Sequence, residues 1–270
     1  MSECSMILDS MIHCRICLQK YNKFCHPTNF PLSFQNLFVF LQQIETDEFS
    51  YCKETKTSDM TPKEQRNEHL AQTIIKNLKR RHIEGFYCAT GEEAVKKVSE
   101  LIEDGSSVTW GGTMTVRDLG IPDALRKRGT LQVLDRDLVK TPEEKQAMYL
   151  RAFSTDVYLT SANAISEDGV IVNIDGNGNR VAAITWGPKK VIFVIGMNKV
   201  AQTAEAALSR ARGTASPINA ARFDIKTPCQ TDGVCHNCNS PESICNYVHF
   251  LRNSPRGRHL VVLVGEELGY

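Results

Sequence analysis

From residue 61 onward, short apolar runs alternate with amphipathic helical stretches, and this alternation most narrows what the chain can fold into. Strand-like runs at Ser107–Trp110, Leu131–Leu134 and Val157–Thr160 are separated by helical stretches around Ile121–Lys127 and after Thr141-Pro142-Glu143-Glu144. A strand that returns to the same sheet through a helix lies parallel to its predecessor, so the expected class is α/β with a mostly parallel sheet. Lys190–Ile195 reads as a further apolar strand, Val200–Arg212 as an Ala-rich helix, and His259–Val264 as a late strand.

Two helix starts are explicit. In Thr61-Pro62-Lys63-Glu64 the threonine caps, proline takes the first helical position and glutamate returns the capping hydrogen bond. Leu70, Ile74, Ile75 and Leu78 then share one face. Thr90-Gly91-Glu92-Glu93 opens a second helix carrying Val95, Val98, Leu101 and Ile102. In the middle, Val170–Ile174 and Arg180–Ile184 flank Asp175-Gly176-Asn177-Gly178-Asn179, a turn rich in residues that tolerate positive φ. This predicts a β-hairpin added to the parallel sheet. The same turn is no calcium loop, because its twelfth position, where a bidentate carboxylate is needed, is Trp186.

Composition changes near residue 60. Residues 1–59 hold six of the eleven Phe and five of the ten Cys without a regular amphipathic period, and Met60 stands just before the first helix cap as an alternative initiator. His13, Cys14, Cys17, Cys25, His26 and Cys52 would suit a second metal site, but the preferred reading is a poorly ordered or non-native extension. The α/β domain is expected to span 61–270, with a cysteine-rich loop at 228–246.

A net charge of +1 and the lack of any basic run argue against nucleic acid as a partner. No run approaches eighteen consecutive apolar residues, so no membrane span is expected, and the N-terminus lacks a secretory pattern. The expected location is the cytoplasm. Clustered cysteines in such a chain favour thiolate ligands in a reducing compartment over a disulfide framework.

Three constellations carry possible chemistry. The first is Cys229, Cys235, Cys238 and Cys245, spaced C-x5-C-x2-C-x6-C and interrupted by Gly233 and Pro241. Four thiolates suit tetrahedral zinc or a [4Fe–4S] cluster, and the spacing does not choose between them. The second is Gly111-Gly112-Thr113-Met114-Thr115, where a strand passes through a glycine turn into a helix start. Missing Cβ atoms and free N–H groups there suit a small anionic ligand. The third is Thr160-Ser161-Ala162-Asn163-Ala164-Ile165-Ser166-Glu167-Asp168-Gly169, in which Glu167 sits at a strand end. A carboxylate there serves as base, nucleophile or ligand, or simply as part of a turn.

The Thr160–Gly169 run, Gly178-Asn179-Arg180-Val181-Ala182-Ala183, Gly187-Pro188-Lys189-Lys190-Val191-Ile192, Gly196-Met197-Asn198-Lys199 and the Cys229–Cys245 segment together resemble the LUD-domain family, relatives of lactate utilisation protein C. The resemblance covers about residues 61–270. It implies a fold like that of the glucosamine-phosphate deaminase, ribose-phosphate isomerase and CoA-transferase group. By that analogy Gly111, Gly112, Thr113 and Thr115, with Asn163, Asn179 and Arg180, would hold the ligand, and Glu167 would be the catalytic carboxylate. The resemblance also implies a part in oxidising L-lactate to pyruvate alongside iron–sulfur partner proteins. The chain lacks a Gly-x-Gly-x-x-Gly fingerprint and so carries no sequence sign of NAD or flavin. Two other readings compete: a stand-alone hydrolase, isomerase or acyl transferase using Glu167, and a non-catalytic module with structural zinc.

Overall fold

The computed structural model describes residues 60–270. The front-segment readings, both the extension and the second metal site at Cys14, Cys17, Cys25, Cys52, His13 and His26, lie outside the described residues. Helix α1 (Pro62–Arg80) starts where the capping box predicts: Thr61 accepts from the Glu64 N–H while the Glu64 carboxylate accepts from the Thr61 N–H. Its buried stripe, Asn67, Ala71, Ile74 and Leu78, recurs at helical spacing and packs against the sheet.

The elements that follow are β1 (Glu84–Cys88), α2 (Gly91–Glu100), β2 (Ser107–Trp110), α3 (Met114–Asp118), α4 (Ile121–Arg128), β3 (Gln132–Val133), α5 (Pro142–Ala152) and β4 (Val157–Thr160). The chain continues through β5 (Ala164–Ser166), β6 (Ile171–Asp175), α6 (Asn179–Thr185), β7 (Lys190–Gly196) and β8 (Val200–Ala201). It ends with α7 (Ala204–Arg210), α8 (Ser216–Ala220), α9 (Pro228–Asp232), β9 (Tyr247–Leu251) and β10 (His259–Val264).

Six strands form a wholly parallel sheet in the order β1-β10-β7-β4-β2-β3. Strands β7 and β10 are buried on both faces, as their continuous apolar runs require. One face packs Val108, Trp110, Leu159, Ile192 and Val262 against residues of α2, α3 and α4. The other packs Tyr158, Phe193, Ile195 and Val261 against α1 and a second sheet, ordered β8-β5-β6-β9. Each fully buried Phe, Ile or Val of these strands is worth about 1.5–3 kcal/mol over exposure.

The second sheet is the antiparallel addition, but its hairpin is not the expected one. Val170–Ile174 does supply β6, whereas Arg180–Ile184 is helical. The Asp175 carboxylate accepts from the backbone N–H groups of Arg180 (3.0 Å) and Val181 (3.2 Å), and so satisfies helix-start donors. The Ala-Ala pair that follows suits a helix better than a strand. The antiparallel pair forms one element earlier, between β5 and β6, with Ala164 opposite Val172 and Ile165 opposite Ile171. Its turn closes through Gly169, at φ +87°.

Two smaller corrections have similar causes. Val200–Arg212 is not one helix: Val200 and Ala201 pair with β5 before Thr203 caps α7. The Leu131–Leu134 run shortens to two paired residues at a sheet edge. Among the described residues no helix is long and apolar enough to cross a membrane.

Candidate functional site at the carboxyl edge of the sheet

The connection after β2 leads outward to β3, while the path after β4 leads the other way, to β7. Adjacent parallel strands whose connections diverge leave a crevice at their carboxyl ends, the place where open α/β sheets take ligands. Gly111–Thr115 follow β2 and Ser161–Asn163 follow β4, so the two sequence-predicted segments line opposite walls of this crevice.

Gly111 is needed on steric grounds, since a Cβ there would lie 2.8 Å from the Tyr158 hydroxyl. A Cβ on Gly112 would meet Arg136 at an ordinary 3.6 Å, so that glycine is not forced by packing. Thr113 caps α3, its hydroxyl accepting from the Val116 N–H at 3.5 Å. With five residues, α3 contributes little dipole. Positive charge in the crevice comes instead from side chains.

Arg180 is tightly engaged. It donates to the Ser161 carbonyl (3.1 Å), the Asn173 Oδ1 (2.9 Å), the Asn163 Oδ1 (2.9 Å) and the Ile174 carbonyl (2.7 Å). Arg210, at the end of α7, donates to the Asn163 carbonyl (2.6 Å) and the Asn198 carbonyl (3.1 Å). Asn163 is thus clamped by two guanidinium groups, and its Oδ1 also accepts from the Ile174 N–H. Buried Asn173 accepts from Arg180 at its Oδ1, and its Nδ2 has no partner among the described residues. Asn179 lies beside the crevice with Trp110, Arg136, Tyr149 and Tyr158 around a narrow gap. A cleft of about 250 Å³ continues outward between Arg117, Arg136, Asp137, Lys145 and Tyr149. Tyr158, buried between Arg180 and Arg136, has its phenol pushed up to about 12 by burial.

Lys199 escaped sequence reasoning as a site residue, as did Ser161, Arg136 and Arg210. Lys199 is 3% exposed and donates to the hydroxyls of Thr115 (3.0 Å) and Ser161 (3.2 Å), spanning the crevice from the end of the β7 strand. Burial, then the neighbouring Arg210 and Arg180, lower its pKa to about 7, against a smaller opposing pull from Asp118. Inspecting the first residues after every parallel strand, not only those in glycine turns, would have found Ser161 and Lys199.

Glu167 is not brought to this crevice. It lies in the β5–β6 turn, where its carbonyl accepts from Asn77 near the C-terminal end of α1, and neighbouring Asp168 pairs with Arg81 at 2.5 Å. Four residues separate it from Asn163 along the strand direction, roughly 13 Å at the ordinary rise. The expectation that Glu167 stands with the ligand cradle fails because β5 runs antiparallel to β6 and carries its end away from the edge where β2 and β4 finish.

The cysteine segment folds beside the same edge. Asn246 donates to the Gly176 carbonyl (3.0 Å), and Arg212 donates to Asn237 Oδ1 (3.2 Å). The segment's ends are tied by the Lys226 N–H donating to Glu242 (2.5 Å) and the Ser240 hydroxyl donating to the Lys226 carbonyl (2.9 Å). Gly233 at φ +77° stops α9 and turns the chain back. Cys229, Cys235, Cys238 and Cys245 are all free thiols. Cys245 is exposed as a residue, yet desolvation of its sulfur pushes the thiol's pKa up, and nearby Cys229, Cys235 and Cys238 push it further. Among the described residues no three His, Cys, Asp or Glu are arranged to hold a metal ion.

A solved structure of a DUF162 family protein from Deinococcus radiodurans is similar over 74% of this chain and 98% of that one, at 14% sequence identity and a TM-score of 0.44. No curated protein matches the chain. The LUD domain model matches residues 71–264, which takes in the second half of α1, the whole parallel sheet, the crevice and the cysteine segment. On that match the chain belongs to the LUD-domain family, which is associated with lactate utilisation.

Proposed function

We propose that this protein serves the oxidation of L-lactate to pyruvate as a subunit or accessory protein, taking a small anionic ligand at the crevice between β2 and β4. The observation that carries the reading is the meeting of Lys199, Arg180 and Arg210 at a topological switch point where, among the described residues, no acidic side chain is in hydrogen-bond contact with any of the three side chains. Lys199 is buried and the two guanidinium groups are half-buried, and a bound anion would offset the cost of gathering three partly desolvated cations. Gly111, Gly112, Thr113, Thr115, Asn163, Asn179 and Arg180 would form the walls. Kinship with the sugar-phosphate isomerase and CoA-transferase group belongs to the same reading, supported by the use of the carboxyl edge.

Cys229, Cys235, Cys238 and Cys245 would hold zinc or a [4Fe–4S] cluster. An all-sulfur donor set suits either, and the influence of the other three thiols on Cys245 supports their acting together. A bound cluster would supply one-electron transfer to iron–sulfur partner proteins in the cytoplasm, and bound zinc would supply structure alone. The chain's own contribution is to hold the loop against Gly176, next to the turn that delivers Arg180.

Anaerobic purification with metal analysis and a visible spectrum tests the metal half: broad brown absorbance supports the cluster, and a colourless protein with one equivalent of zinc supports the structural site. Protein with neither metal removes that half. Restoration of growth on L-lactate in a host lacking its own lactate-oxidation proteins tests the rest, and failure of the full chain with its partners to restore growth would remove it.

A further inference from the structure

Lys199 joins the two walls of the crevice. Its amine hydrogen-bonds one hydroxyl from the segment after β2 and one from the segment after β4, and both partners, Thr115 at 1% and Ser161 at 5% exposure, are buried with it. The charged groups that reach it are Arg210 from α7, Arg180 from α6 and Asp118 from α3. Arg180 spends both terminal nitrogens on protein oxygens and offers no free fork for a phosphate, while Arg210 spends its Nε and one bond of Nη1 on the carbonyls of Asn198 and Asn163. Where the two walls meet, the donors are one amine and two hydroxyls, a set matched to the two oxygens of a monocarboxylate.

That position is now taken by backbone. The Thr115 hydroxyl donates to the Leu268 carbonyl over a long 3.4 Å, and a Cβ on Gly269, at φ +55°, would lie 2.8 Å from the same hydroxyl and 3.3 Å from the Lys199 nitrogen. The Leu268 carbonyl thus stands where a carboxylate oxygen would accept. Asn198 holds this backbone, accepting from the Leu268 N–H (3.1 Å) and donating to the Gly269 carbonyl over a long 3.4 Å.

We propose that Lys199, with the hydroxyls of Thr115 and Ser161, is the charge-bearing centre of a small-monocarboxylate site, uncovered when the Leu268–Gly269 backbone withdraws. The inference rests on the ligand site proposed above and deepens it. Binding pairs the carboxylate with a Lys199 ammonium; where the amine starts neutral, it takes one proton from solution, and no bond to the ligand is made. The pKa near 7 means that part of the population starts in that form at neutral pH.

The test is titration calorimetry of the full chain at pH 7 with L-lactate, pyruvate, acetate and inorganic phosphate, each in two buffers of different ionisation enthalpy. Binding of at least one monocarboxylate with net proton uptake is expected, and Lys199→Met should weaken it roughly tenfold or more and abolish the uptake. Lys199→Met removes a buried cation, so its melting temperature should be unchanged or higher, which separates lost binding from lost folding. Three outcomes each overturn the inference: no monocarboxylate bound by the native chain, equal binding by Lys199→Met, or Lys199-dependent binding of phosphate alone. Metal content and lactate-dependent growth report on the broader reading separately, because the four cysteines are untouched in Lys199→Met.

Discussion

The crevice and the cysteine segment lie along the same edge of the molecule but are assembled in opposite ways. Thr115, Ser161 with Asn163, Arg180, Lys199 and Arg210 come from five separate stretches and meet only because β2, β4 and β7 are neighbours in one sheet. The four cysteines come from one short stretch whose ends are tied by its own Lys226, Ser240 and Glu242. A site assembled from distant strands inherits the rigidity of the sheet. A site made from one loop depends on local turns and, in the proposed reading, on its metal.

The sharpest way to break this contrast is Arg180→Ala. It leaves four oxygens without their donor and unclamps Asn163. We expect a loss of about 4 kcal/mol, seen as a fall of roughly 10 °C in thermal melting. A shift within 1 °C would show that the crevice is not held as described.

Acid should act next, and on the sheet rather than on the loop. His259 is 1% exposed, bonded to Ser254 (2.6 Å) and the Ile184 carbonyl (2.9 Å), and burial lowers its pKa from 6.5 to about 4. Between those values the unfolded chain binds the proton and the folded chain does not. Stability present above pH 6.5 is therefore lost progressively as pH falls toward 4, by about 3 kcal/mol. Chemical denaturation at pH 7 and pH 4.5, with His259→Gln as the control that flattens the difference, checks the sign.

For the loop, Cys238→Ser should strip the proposed metal while the sheet persists, costing about 2 kcal/mol of metal-linked stability. Metal analysis beside far-ultraviolet circular dichroism measures both, and full metal retention would count against a four-thiol site. The smallest expected effect is that of Thr115→Val, which deletes one hydroxyl contact to Lys199 and one to Leu268, about 1 kcal/mol by denaturant melting. An effect as large as that of Arg180→Ala would mean that the crevice hangs on Thr115 instead.

Local signals were legible wherever the physics is local. The Thr61 and Thr141 capping boxes, the Thr90 cap, the apolar β7 and β10 runs and the glycine turn after β2 all lie where their residue types place them. The hairpin expectation went astray because Asp175-Gly176-Asn177-Gly178-Asn179 suits a hairpin turn and a capped helix start equally well. Which one forms depends on β6 having β5 and β9 as partners already. Strand β9 went unread because Tyr247, Val248 and Phe250 are exposed and show no clean alternation.

By itself, then, the order of residues determined the helix starts and the mostly parallel α/β class, since caps act over a few residues and crossover helices force parallel neighbours. Tertiary structure alone decided that Glu167 stands apart from the glycine turn and that Lys199 stands with it. The direction in which a strand runs, and the neighbour it pairs with, are settled by hydrogen bonds and buried faces contributed from elsewhere in the chain.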